Sequence, residues 1–321
     1  MIAGSSRPVV SSSDTRWNLS GQVYGGQVGI ALRISGATAA VVAIAVPAVA
    51  QGAIVKRSDS ARLDTPREVG TATAQCPGGA LAAGGGYKLS SNRAGAPRRI
   101  AQVFESRKQG QDAWTVRAML GGDSPAPARL TAFAYCDTRG RPTTTVTTDG
   151  QTTQSNEVKT VVPRCTGSKN AQGGGFSTPP PFYADGSNAA LNVISGSTPA
   201  GKTGWRIQVT AGFSFSPFIS TFTGHAYCAN GAPPQKRAGT KSIKPNANNP
   251  SEFGKGSAKS KPCPKDVVGG GFSQRPINPS GGLESSFLNV HAAAAAGARW
   301  KASATQGGLQ RSRLKAIALC S

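Results

Sequence analysis

The chain has 321 residues, with 36 lysines and arginines against 14 aspartates and glutamates, a formal net charge of +22, two histidines and six cysteines. Its one long apolar run is shorter than the roughly 20 residues a membrane-crossing helix needs. Two histidines and scattered acids argue against an enzyme, and the cationic excess points to anionic partners.

In chain order the first feature is that apolar run. Residues 35–50 read SGATAAVVAIAVPAVA, behind Arg33 and closing on Ala48, Val49 and Ala50. A short hydrophobic core ending in a small-x-small site is the layout of a secretory signal peptide. Residues 1–50 are therefore read as a leader, although its polar front is longer than usual, so that either translation starts later or the leader is extended. A buried strand or an uncleaved anchor helix is the alternative. Without Arg7, Arg16, Arg33 and Asp14, the chain from Gln51 keeps 33 basic and 13 acidic residues, a net +20.

Next comes a constellation that recurs three times: a cysteine, a Gly-Gly-Gly-aromatic run, a tryptophan and a closing cysteine. The copies are Cys76, Gly84-Gly85-Gly86-Tyr87, Trp114 and Cys136; Cys165, Gly173-Gly174-Gly175-Phe176, Trp205 and Cys228; and Cys263, Gly269-Gly270-Gly271-Phe272, Trp300 and Cys320. The tryptophans follow the opening cysteines by 38, 40 and 37 residues, the closing cysteines by 60, 63 and 57. Such self-similarity decides the fold count before any local pattern does. It divides the chain into a linker (51–69), β module 1 (70–137), a linker (138–157), β module 2 (158–229), a basic flexible linker (230–257) and β module 3 (258–321). Modules this long usually form separate domains, which would let the third move independently of the second; repeats around one shared axis are the alternative.

An even set of cysteines, paired by the repeat, belongs in an oxidising compartment. The pairing expected is Cys76–Cys136, Cys165–Cys228 and Cys263–Cys320, since zinc would want close pairs such as C-x-x-C. Between these landmarks the pattern reads as β. Residues 203–211 (TGWRIQVTA) alternate apolar and polar, residues 114–119, 130–136 and 221–228 behave alike, and short apolar runs at 100–104, 191–194 and 288–290 precede the tryptophans. About five short antiparallel strands per module are expected, and the alanine run 292–296 is read as non-helical from its place in the repeat.

The triple glycine is followed by an aromatic residue rather than by Lys-Ser/Thr and a helix, so it is no phosphate loop. Glycine inside a strand marks a bulge or a close approach, here by a second sheet or by the tryptophan ring. Trp114, Trp205 and Trp300 are read as core, with stacking on a sugar ring as their alternative role. His225 and His291 occupy different repeat positions, and no G-x-S-x-G elbow, H-E-x-x-H pair or acidic calcium loop occurs. No catalytic, cofactor-binding or metal-ligating residue is assigned.

The motifs Cys76-Pro77-Gly78-Gly79 with Ala134-Tyr135-Cys136, Ala226-Tyr227-Cys228, and Cys263-Pro264 with Ala318-Leu319-Cys320 resemble a repeat of secreted actinobacterial proteins over residues 70–321. Thr166 stands in place of the proline in the second copy. The resemblance implies export and a β-rich module and carries over no activity. The expectation is thus an all-β protein of three tandem, sandwich-like antiparallel modules, each with one disulfide. It is secreted and non-catalytic, and it associates multivalently with an anionic envelope glycopolymer or polysaccharide. An enzyme or inhibitor working from one diverged module, or a passive exoprotein without a ligand, are the alternatives. No dedicated nucleic-acid motif, no membrane span after the leader and no cofactor are expected.

Overall fold

Among the described residues each repeat folds into six strands. The first gives β1 (Ile54–Leu63), β2 (Val69–Gln75), β3 (Leu81–Ser91), β4 (Gln102–Gln109), β5 (Ala113–Met119) and β6 (Ala128–Asp137). The second gives β7 (Thr144–Thr152), β8 (Val158–Val161), β9 (Asn170–Ser177), β10 (Asn192–Ala200), β11 (Gly204–Ala211) and β12 (Ser220–Ala229). The third gives β13 (Gln235–Ile243), β14 (Gly254–Lys259), β15 (Val267–Pro276), β16 (Phe287–Ala296), β17 (Arg299–Gly307) and β18 (Ser312–Cys320). This computed structural model describes residues 54–91, 101–121, 127–153, 157–180, 192–211, 219–244, 254–276, 287–307 and 311–321; the leader expectation falls outside them. Among the described residues there is no helix, hence none long and apolar enough to cross a membrane.

Five strands per repeat lie where expected, and the alanine run is the end of β16. The sixth corrects the linker assignments. β1 lies in 51–69, β7 in 138–157, and β13 with the start of β14 in 230–257. These segments carry polar side chains on both faces because they are edge strands, held by backbone pairing. β1 pairs along β6, β7 along β12 and β13 along β18, through nine or ten residue pairs each.

The strands assemble into three six-stranded antiparallel sheets. The first sheet has the order β1-β6-β3-β16-β17-β14, the second β2-β5-β4-β9-β12-β7, the third β13-β18-β15-β10-β11-β8. Every sheet takes the first, sixth and third strands of one repeat and the fourth, fifth and second of another. The exchange is cyclic: the first sheet joins repeats one and three, the second joins two and one, the third joins three and two. Within a repeat the two three-stranded halves pack as a small sandwich, so the modules are sandwich-like as expected, but their sheets are continuous. The alternative of repeats around one shared axis is the one found. Repeat three is laddered to both others, through β3–β16 and β10–β15, and no tether sets it loose.

Where two repeats join, the ladder is short. β3 meets β16 through two residue pairs, and so do β4 with β9 and β10 with β15. The glycine triplets lie beside these junctions. A Cβ at Gly86, Gly175 or Gly271 would come within 2.2, 2.5 and 2.1 Å of the carbonyl oxygens of Ala293, Ser106 and Ser197, in the neighbouring repeat's strand. Tyr87 stacks edge-on against Phe176 and Phe272, with centroids 6.4 and 6.5 Å apart, so the aromatic that follows each triplet fills the shared centre. At one end of the body the tight turns between fourth and fifth strands hold Gly110, Gly201 and Gly297 at φ of 61°, 71° and 60°, a region glycine enters without penalty.

Candidate functional site

The cystines are paired as the repeat spacing required: Cys76–Cys136, Cys165–Cys228 and Cys263–Cys320. Each pins the segment after a repeat's second strand to its sixth strand, across the two layers of one sandwich. All six residues are buried, which makes the bonds structural.

The tryptophans are core. Trp114, Trp205 and Trp300 are 3, 1 and 1 % exposed. A Cβ at Gly85, Gly174 or Gly270 would fall 2.1, 2.1 and 2.3 Å from their ring atoms. The middle glycine of each triplet is therefore the footprint of an indole, and no ring face remains for a sugar.

What the molecule presents to its surroundings is the outward face of each sheet. Residues directly opposite in an antiparallel ladder share a face, so the three repeats can be compared position by position. On the third sheet, Arg313 of β18 lies opposite Arg275 of β15 and Ser242 of β13, and Lys315 lies opposite Ser273 and Thr240. On the first sheet, Arg129 of β6 lies opposite Arg62 and Ser90, and Thr131 lies opposite Lys88 and Ser60. Its far half adds Lys301 opposite Lys259 and Thr305 opposite Lys255. No acid shares these registers. Lys56 sits 4.1 Å over the Phe133 ring, and partial burial, then the nearby Lys88, lower its pKa.

The second sheet differs at the same positions. Thr221 of β12 lies opposite Gln151, and Thr223 opposite Asp149 and Ser177. These residues border a shallow recess of about 480 Å³ formed by Asp149, Gly150, Gln151, Thr221 and Thr223. Further across, Glu105 is paired with Arg107 at 2.8 Å and Arg117 at 3.4 Å. This face balances its charges, whereas the registers named on the other two hold only cations and hydroxyls.

The second face also holds His225, at the place of Phe133 and Ile317 in the other repeats. Its Nε2 lies 3.2 Å from Ser177 Oγ. Burial, then Arg107, pushes its pKa down to about 4, against a smaller upward pull from Asp149. The imidazole is neutral at physiological pH, while the Asp149 carboxylate accepts the Thr223 hydroxyl at 2.6 Å. A serine and a histidine meet here, and among the described residues no acid is hydrogen-bonded to the ring, as one is in a Ser-His-Asp triad. His291 sits in a bulge of β16 between Val290 and Ala292, in the other half-sheet position, and burial likewise lowers its pKa to about 4.

Sequence reading gave the total charge and missed its partition, because a residue's face is fixed by ladder register, and the register of three of the strands involved lay inside presumed linkers. Among the described residues no cluster of three or more His, Cys, Asp or Glu side chains could hold a metal. Comparison with protein-family models and with curated proteins gives no match.

Proposed function

We propose that this is a secreted, non-catalytic protein that associates with extracellular polyanions, an anionic envelope glycopolymer or polysaccharide foremost, through the outward faces of its sheets. The observation that carries the reading is the set of acid-free registers of cations and hydroxyls on the first and third sheets. Fixed cations on a rigid sheet raise the local concentration of a polyanion and its encounter rate, and salt weakens both. Export is supported by the leader-like run at residues 35–50 and by three disulfides of a kind kept in oxidising compartments. More than one cationic face per molecule would give avidity through effective concentration.

A second reading, an enzyme or inhibitor acting from a diverged copy, draws on the Ser177–His225 contact of the second sheet. The two readings separate in one experiment. The chain from Gln51 is applied to isolated actinobacterial envelopes over a salt series, beside the Ser177→Ala/His225→Phe variant. Saturable retention that falls steeply with salt and ignores the double substitution supports the cationic faces. No retention at low salt sinks envelope association, and retention lost with the double substitution moves the site to the second sheet.

A further inference from the structure

We infer that the first and third sheets each carry an anion cradle at the start of the repeat's sixth strand, shaped for the phosphates of a phosphodiester-linked polyol polymer, and that the second sheet carries none. The inference rests on the polyanion reading and adds the site, the valence and the chemistry of the ligand.

The third-sheet cradle is Arg313 with Arg275 opposite it and Lys315 two residues on, flanked by Ser273, Thr240 and Ser242. All three cations are exposed, and none belongs to an ion pair among the described residues. The first-sheet cradle is Arg129 and Lys88 with Thr131, Ser90 and Ser60. Arg62, also opposite Arg129, is turned to Asp64. At the equivalent places of the second sheet stand Thr221, Gln151, Thr223, Ser177 and Asp149.

Like charges directly opposite across a ladder destabilise a sheet. The fold accepts uncharged residues at both positions: Thr221 stands at the place of Arg313 in the second sheet, and Ser90 at the place of Arg275 in the first. Keeping Arg313 against Arg275 is thus a cost the fold does not require, and an anion lying between the two guanidinium groups offsets it. Guanidinium forks match phosphate oxygens in a bidentate manner. Arg313 and Lys315, two residues apart on one strand, stand roughly 6.8 Å apart and meet successive charges of a linear polymer rather than one isolated ion. The hydroxyls beside each cation suit a polyol backbone. An exposed aromatic platform, which single-stranded nucleic acid uses for base stacking, is missing from both cradles: Phe133, the aromatic next to the first, lies under Lys56.

The test uses the full mature chain, a glycerol-phosphate polymer of defined length and a polyuronate of matching charge, titrated at low salt. Three variants are compared: Arg275→Ser/Arg313→Ser, Lys88→Ser/Arg129→Ser, and a charge-matched control at exposed lysines outside the cradles, Lys241→Ser/Lys265→Ser. Thermal melts without polymer confirm folding. Expected are two polymer sites per chain, tighter for the phosphate polymer, with each cradle variant removing one site and lowering retention at least about tenfold. The Arg275→Ser/Arg313→Ser chain should melt higher than the parent at low salt, a gain that a merely structural arginine pair would not give. If the control loses as much, only net charge counts and the cradles are overturned. Undiminished polymer binding by both cradle variants also overturns them while leaving the polyanion reading in place. No binding of either polymer by the parent overturns both.

Discussion

Trp114 and Trp205 donate their indole N–H to Ser106 Oγ at 3.0 Å and to Ser197 Oγ at 2.9 Å, whereas the buried Trp300 Nε1 has no partner among the described residues. The serines stand two residues before the ladder partner of the tryptophan, and in the third repeat that position is Ala293. A cavity of about 20 Å³ touches Ser106, Ser197 and Ala293 together, so an added oxygen has room. Ala293→Ser should stabilise the protein by about 1 kcal/mol, read as a higher urea midpoint with unchanged slope; a lower midpoint would mean the centre is already full. His225 titrates at about 4 in the fold against about 6.5 when unfolded. Between those values the unfolded chain binds more protons, so the stability present above pH 6.5 is lost as pH falls toward 4. His291 behaves the same way. His225→Phe, the residue found at Phe133, should roughly halve the fall in urea midpoint between pH 7 and pH 4.5; an unchanged slope would place the effect elsewhere.

Between the strands of neighbouring repeats, a tyrosine closes the opening that the short ladder leaves at two of the three junctions. Tyr227 accepts the Lys108 backbone N–H at 2.6 Å, and Tyr135 accepts that of Ala295 at 2.6 Å. The third junction has Leu319 in place of the tyrosine, and the residue whose N–H would need an acceptor is Pro199, which has none to offer. The two departures compensate. Pro199→Ala alone should cost about 1–3 kcal/mol, by leaving an N–H against leucine, and Leu319→Tyr alone should cost a similar amount. The double variant should recover most of both losses; additive losses in a double-mutant cycle would refute the coupling. How far such elements were legible in advance follows from their side chains. β11 alternates Trp205, Ile207 and Val209 inward, and was readable. β1, β7 and β13 bury fully only their last residues, Leu63, Thr152 and Ile243. An edge strand that contributes backbone but almost no apolar side chain gives no period to find, and it passes for a linker. The glycine triplets announced a close approach, because an indole over a strand leaves a compositional mark. The partition of charge among faces left none, since it emerges only when Arg313 is set opposite Arg275.

On the scale of the molecule, the repeats are distinct in sequence and shared in structure. Each disulfide closes a loop of about 60 residues, worth roughly 4 kcal/mol by chain entropy, but it braces a lobe and does not make it autonomous. Deleting residues 230–321 would strip β3 of β16 and β10 of β15, opening two sheet junctions with unpaired backbone. The remaining chain should therefore aggregate or lose its cooperative melt, whereas two independent domains would stay monodisperse and melt as before. The same geometry has a corollary for assembly. One repeat presents two different half-sheet edges, and the edge of each finds its complement on the next; that is a head-to-tail interface whose rotation closes after three. Three separate copies of a single repeat would build this body as a symmetric trimer. Joining them in one chain makes assembly independent of concentration and releases each junction from identity, so that one can trade its tyrosine and amide N–H for a leucine and a proline, and one face can surrender its charge while the others keep theirs.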